Sequence, residues 1–211
     1  MVYNRVFLLF FCIITCVFSS TTYAQTQKHN IMVGGNASFE KRYRYYILPI
    51  SNSQHGIVNN TFNLNPTISY FVVDNLALGL SVNFRRYKAM DTDNGEKEGD
   101  GHSYSIGPIV RYYFPFNNWA IFPEAQFLKV SGVNHSYSLQ ERFTNSSNGS
   151  AYKLGVGASY FVTPNVGMEG LLRYSYEYTS LVNNFYVGSP EAKVKRAGIN
   201  LSIGIQFYLP L

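Results

Sequence analysis

From about residue 30 onward the chain alternates apolar and polar positions with a period of two, the signature of strands that carry one oily face. Leu76, Leu78, Leu80, Val82 and Phe84 share one face of such a segment, with Ala77, Gly79, Ser81, Asn83 and Arg85 on the other. The pattern recurs with Leu154, Val156, Ala158 and Tyr160 against Lys153, Gly155, Gly157 and Ser159. It recurs again with Ile199, Leu201, Ile203, Ile205 and Phe207 against Asn200, Ser202, Gly204 and Gln206. Strands are predicted near 30–42, 60–72, 76–88, 103–114, 119–131, 150–162, 166–179 and 195–208, and helical periodicity is hard to find. Tight joins at Val73-Asp74-Asn75, Pro115 to Asn118 and Thr163-Pro164-Asn165 alternate with long loops over 43–59, 89–102, 132–149 and 180–194. Strict alternation of short and long joins makes neighbouring strands run up and down, with every short turn on one rim and every long loop on the other. The fold class predicted is all-β, an eight-stranded antiparallel up-and-down transmembrane β-barrel.

The short joins repeat one another. Tyr70-Phe71, Tyr113-Phe114 and Tyr160-Phe161 close alternate strands, and Phe207-Tyr208 continues the series, so that a hairpin unit of about 45 residues is used again and again. Aromatic rings favour the headgroup level of a membrane, where an apolar body and a polar tip are both satisfied. These eight residues are therefore expected to form an aromatic girdle around the periplasmic rim, which would also carry both termini.

Residue size decides which face is outside. Eight strands leave an interior just wide enough for side chains. The polar face is rich in Gly, Ser and Asn, which fit there, and the bulky Leu, Ile, Val, Phe and Tyr are left for lipid. Alternation then points Glu40, Arg85, Arg111, Glu124, Glu169, Arg173 and Glu177 into the lumen. Since an isolated buried ion is very costly, these seven are expected to form a paired, hydrogen-bonded network that argues against an open pore.

The chain has 211 residues, enough for one domain with a real core. Charged residues make up 14% and aromatics 17%, and the basic residues behind the net charge of +5 are scattered, so nucleic acid is not an expected partner. Met1 to Arg5, the apolar run Val6 to Phe18 and the small-residue pattern ending at Ala24 read as an export signal over 1–24, with the barrel domain over 25–211. Cys12 and Cys16 both lie in that leader, so the exported chain would carry neither a disulfide nor a thiolate metal site.

With these features the chain resembles the small eight-stranded outer-membrane barrels of the OmpA/OmpX type, within the outer membrane protein beta-barrel domain or porin-like family. The resemblance covers about 25–211 and rests on architecture. It implies a Gram-negative-type outer membrane as the location, contact with outer-membrane lipid and lipopolysaccharide, and insertion by the barrel-assembly machinery, which reads an alternating last strand ending in an aromatic residue. Ile199 to Tyr208 is the candidate strand, although Leu209-Pro210-Leu211 follows where a terminal Phe is usual.

Some barrels of this size modify lipid A, and "HSYS" occurs twice, at His102 and at His135. On a strand, residues i and i+2 share a face, and in both strings the residue at i+2 from His is Tyr, which leaves no nucleophile beside its base. The acidic stretch Asp91 to Gly101 fails the calcium-loop pattern, with Gly95 and Glu96 where Asp or Asn and then Gly are needed. No catalytic residue, metal or cofactor is expected. Arg85, Arg86, Lys88, Lys195 and Arg196 lie toward the long-loop rim and are candidate contacts for lipopolysaccharide phosphates. The functional expectation is a non-enzymatic structural or surface-interaction protein that meets a surface ligand through its long loops. A narrow porin-like channel and a lipid A-modifying enzyme are the alternatives.

Overall fold

The computed structural model describes residues 24–47, 54–92, 95–138, 141–183 and 192–211. The export signal expected over 1–24 lies outside these but for Ala24, as do the tips of the four long connections. A short 3-10 turn at Ala24–Thr26 precedes nine strand segments, β1 (Ile31–Ile47), β2 (Gln54–Val73), β3 (Leu76–Asp91), β4 (Lys97–Tyr112), β5 (Phe114–Phe116), β6 (Trp119–Ser138), β7 (Glu141–Thr163), β8 (Val166–Asn183) and β9 (Ala192–Leu209). All pairs are antiparallel, each strand lies beside its neighbours along the chain, and the ring closes where β1 meets β9. β4 and β5 both pair with β6 and are interrupted only at Tyr113, so the wall has eight strands around its circumference.

The turns at Asp74–Asn75, Asn117–Asn118 and Pro164–Asn165 join the hairpins on one rim. Asn75 (φ 67°) and Asn117 (φ 49°) adopt the left-handed backbone that such turns need and that Asn tolerates better than most residues. The second expected join is shorter than Pro115 to Asn118, because Pro115 and Phe116 pair with Ala120 and Trp119 as β5.

The opposite rim departs from expectation. The loops predicted over 43–59, 89–102, 132–149 and 180–194 are largely strand: β1 and β2 stay in register up to Ile47 opposite Gln54, and β6 and β7 up to Ser138 opposite Glu141. A tilted strand needs only about 9–11 residues to cross a bilayer. Segments of 20 and 23 residues in β6 and β7 therefore carry the wall well beyond a membrane. Apolar alternation fades in these upper stretches because no lipid demands it, while ladder hydrogen bonds continue to hold polar sequence in strands.

The outward face is the oily one, with Ile203 73% exposed and Leu154 62% exposed, and the inward face buries Asn36, Ser81, Gln126, Ser159 and Gln206. The seam between β1 and β9 is the shortest in the ring. Its register runs from Ile31 opposite Leu209 to Ala37 opposite Ile203 and then stops, although both strands continue upward against their other neighbours. One side-chain bond spans it there, from Asn200 Nδ2 to Ser38 Oγ at 3.1 Å.

Candidate functional site

The lumen is built in two storeys. At the short-turn end Met32, Phe71, Tyr113, Ala120, Phe122, Phe161, Leu171 and Tyr208 form a buried cluster that fills the interior from wall to wall. Phe71 and Tyr113 meet as tilted rings with centroids 5.7 Å apart, as do Tyr113 and Phe122 at 5.0 Å, and Phe161 meets Tyr208 edge-on at 5.4 Å. Gly157 on β7 makes room for this plug, since a Cβ there would run into the Phe122 ring.

The eight aromatics expected as a girdle lie beside the short turns, but half of them turn into the lumen. Tyr70, Tyr160 and Phe207 face outward and Phe114 is half-buried, whereas Phe71, Tyr113, Phe161 and Tyr208 are 0–5% exposed. Adjacent residues on a strand point to opposite faces, so a pair of neighbouring aromatics supplies one ring to the membrane and one to the plug. Trp119 joins the outward set, its ring 4.8 Å from that of Tyr160.

One backbone bond recurs at every pair. Phe71 N–H donates to the Asn30 carbonyl, Tyr113 to Asn75, Phe161 to Asn118 and Tyr208 to Asn165, at 2.8–2.9 Å. Each inward aromatic ties its strand to the carbonyl at the base of the neighbouring hairpin. Thr26 reinforces the ring from below, accepting from Asn75 N–H at 2.7 Å through its carbonyl.

Above the plug lies the charge network. Arg111 Nε donates to Glu124 at 2.7 Å and its Nη1 to Glu169 at 3.1 Å, and Arg173 Nε donates to the other oxygen of Glu124 at 2.7 Å. Gln126 and Gln206 donate to Glu124 and Glu169 at 2.7 and 3.1 Å, and the Arg111 guanidinium lies over the Phe122 ring at 4.8 Å. Register produces this cluster: Arg111 stands directly opposite Glu124, and Gly155 lies between Glu124 and Arg173 on the intervening strand, leaving space for the guanidinium to cross. The two Arg and two Glu balance in charge, and each is bonded to more than one partner, as buried ions require.

The upper storey is a polar cup of about 360 Å³ whose wall includes Glu40, Asn63, Arg85, Lys153, Glu177 and Arg196. Arg85 and Arg196 converge on Glu177 at 2.8 and 3.1 Å, and Arg85 Nε donates to Asn63 at 3.2 Å. The seven lumen charges expected from sequence therefore divide: Arg111, Glu124, Glu169 and Arg173 meet in the lower cluster, Arg85 and Glu177 meet in the cup, and Glu40 also lines the cup. The grouping of Arg85 and Arg196 with Arg86, Lys88 and Lys195 as outer contacts is corrected for the first two, which turn inward to Glu177. Arg86, Lys88 and Lys195 are exposed on the outward face.

Lys153, like Arg196, is a charged residue the expected network left out. The alternation of β7 already puts it on the polar face, but its neighbours Gly155, Gly157 and Ser159 carry no charge to draw notice to it. It is 8% exposed.

His102 and His135 lie within β4 and β6 and face outward; His135 Nδ1 contacts Thr144 Oγ1 at 3.0 Å. In the acidic stretch Asp100 is bonded to Lys97 at 2.9 Å and accepts from the Tyr137 hydroxyl at 2.9 Å, while Asp93 lies outside the described residues. Among the described residues no group of three or more His, Cys, Asp or Glu is placed to hold a metal ion.

The sequence matches the family model for the outer membrane protein beta-barrel domain over residues 10–207. No curated protein matches it significantly. Similar solved structures include the outer membrane protein OprG from Pseudomonas aeruginosa (TM-score 0.57, 13% identity, 89% of this chain and 99% of that one). The outer membrane protein AlkL in lipid bilayers is also similar (TM-score 0.54, 14% identity, 92% of this chain and 96% of that one). A major outer membrane protein from Thermus thermophilus gives TM-score 0.50 at 14% identity, over 85% of this chain and 98% of that one. At such identities the likeness speaks for the fold alone.

Proposed function

For a chain that belongs to the outer membrane protein beta-barrel domain family, and so resides in the outer membrane of a Gram-negative-type envelope, we propose a non-enzymatic, non-conducting scaffold that presents a surface cup and extended strands outside the cell. The observation that carries this reading is the closure of the lower lumen. Arg111, Tyr113, Phe122 and Tyr208 are 0–1% exposed, and they lie across the axis with Arg111 bonded to Glu124 and Tyr113. Opening a path would strip several buried ions of their partners, at a cost of several kcal/mol for each ion, roughly. The short-turn rim and both termini would face the periplasm, and the long upper strands would face outward.

A catalytic role is not favoured by the placement of the two His-Ser-Tyr-Ser strings. His102 and His135 face away from the lumen. The outward cations Arg86, Lys88 and Lys195 remain the proposed contacts for lipopolysaccharide phosphates, and the surface-ligand role expected of the loops passes to the strand extensions and the cup. Insertion by the barrel-assembly machinery belongs to the same reading.

Planar-bilayer recording of the refolded chain tests the proposal. The expected record is silent. Steady unitary conductance would replace the scaffold with the porin-like channel, and a mass change in lipid A on expression, lost in His102→Ala or His135→Ala, would replace it with an enzyme.

A further inference from the structure

Resting on the closed lumen proposed above, we infer that the cup is a binding site for a small acidic sugar, one bearing a phosphate or carboxylate, whose anionic group is held by Lys153. Four cations line the cup, Arg85, Lys153, Arg173 and Arg196, against two carboxylates, Glu40 and Glu177. Three of the four are committed. Arg85 and Arg196 share Glu177, and Arg173 reaches down to Glu124. Lys153 is more than nine-tenths buried, lines the cavity, and among the described residues has no hydrogen bond and no carboxylate within 4 Å.

Cations outnumber carboxylates around the cup, which favours an anion that arrives from outside. The network below it shows that this chain pairs its lumen ions with care, which makes the exception informative. The Asn59 Nδ2 amide, also on the cup wall, has no acceptor either. Two unfilled donors call for an acceptor-rich guest. Asn63 and Asn65 on the wall are already bonded through both their amide nitrogen and oxygen, and the amides of Asn83 and Asn200 beside them can give and accept hydrogen bonds and so suit hydroxyls. A volume of about 360 Å³ lies at the small end of ligand pockets.

The guest has two routes in. The exposed Arg196 marks contact with bulk solvent, and the cavity wall also includes Ala197 and Ile199 of β9, where that strand has parted from β1. Through the mouth the ligand would be a free sugar; through the seam it would be the headgroup of an outer-leaflet lipid, with Phe39, Ile199 and Leu201, 68–70% exposed, flanking its tail.

The test uses the full-length mature chain in phosphatidylcholine nanodiscs, titrated with glucose 1-phosphate, glucuronate and, as the neutral control, glucose. The acidic sugars are expected to bind saturably and glucose not. Lys153→Met should weaken binding roughly tenfold or more, the loss of one charge-assisted hydrogen bond. Asn59→Leu should weaken it by a smaller factor. Since Lys153→Met removes an unpaired charge, it should refold at least as well as the parent, so a loss of binding would not reflect a loss of structure. Doping the nanodiscs with lipid A separates the sources: competition against glucose 1-phosphate assigns the headgroup route, and an unchanged titration assigns the free sugar. Absence of saturable binding in the undoped discs, or binding that Lys153→Met leaves intact, overturns the inference. Bilayer recording of the same preparation keeps the two readings apart, because a silent protein that binds nothing refutes only the ligand, whereas a conducting protein that binds refutes only the closed lumen.

Discussion

The two storeys of the lumen use the same vocabulary of Arg, Glu and amide side chains to opposite ends. Below, Arg111, Arg173, Glu124 and Glu169 are balanced in charge and enclosed by Gln126, Gln206 and Asn36. Above, Lys153 and the Asn59 amide stand without partners around an open volume. Ions that are fully paired have no charge left to offer a guest and serve as structure; a cation beside an open volume keeps that capacity. Polarity alone therefore does not distinguish a plug from a site, and the pairing of the charged groups does.

The contrast can be broken most forcefully from below. Arg111→Ala strips Glu169 and Glu124 of a shared cation inside a closed space and should cost about 3–5 kcal/mol, measured as the shift in urea unfolding of the protein refolded in lipid vesicles. A loss under 1 kcal/mol, roughly, would mean that water already reaches the network and that the lower storey is not dry. Phe122→Ala should follow at about 3–4 kcal/mol, since it removes a ring from a filled plug and leaves a cavity. If the same variant also turned a silent protein into a conducting one, the aromatic layer and not the ion layer would be the seal.

Sharpening comes from the upper storey, where the sign reverses. Lys153→Met should raise stability by about 1 kcal/mol or more, because an apolar side chain of similar length replaces an unpaired ion. Smaller again is the turn effect: Asn75→Ala should cost about 1 kcal/mol for a Cβ-bearing residue without Asn's local hydrogen bonding at φ 67°, and Asn75→Gly close to nothing. The smallest effect belongs to the strand extensions. The Asp100 carboxyl is held below the usual carboxylate range, chiefly by its hydrogen bond from Lys97. A carboxyl whose pKa falls on folding contributes stability above its unfolded value of about 3.9 and loses it as pH drops through the lower folded value. At this exposed position Asp100→Asn should change stability by under about 0.5 kcal/mol, and 1 M salt should erase the difference.

How much of this could be read from residues alone follows from the range of each interaction. Period-two alternation reports which face a residue occupies, and it placed Glu124, Glu169, Arg111 and Arg173 together in the lumen with no knowledge of distance. It also contained the correction to the girdle, since Tyr70 and Phe71 cannot share a face. The aromatic composition of the rim masked that rule. The extent of β6 and β7 was hidden because hydropathy marks a strand only where lipid or a core demands it, and Ser146-Ser147-Asn148-Gly149 is held by the ladder instead. The pairing of individual groups was out of reach. Whether Lys153 meets a carboxylate depends on which strands face each other across the lumen and on shear, neither of which is written locally.

The joints at the lower rim bear on how the ring is completed during insertion. Asn75 is met only when Tyr113 arrives, Asn118 only with Phe161 and Asn165 only with Tyr208, so each hairpin enters the membrane with a carbonyl that its successor must satisfy. A chain that stopped short of β9 would leave the Asn165 carbonyl unmet, the Phe161 ring without Tyr208 and both sheet edges bare. The last strand thus certifies the whole polypeptide, since a truncated copy would keep two unpaired edges open to other chains.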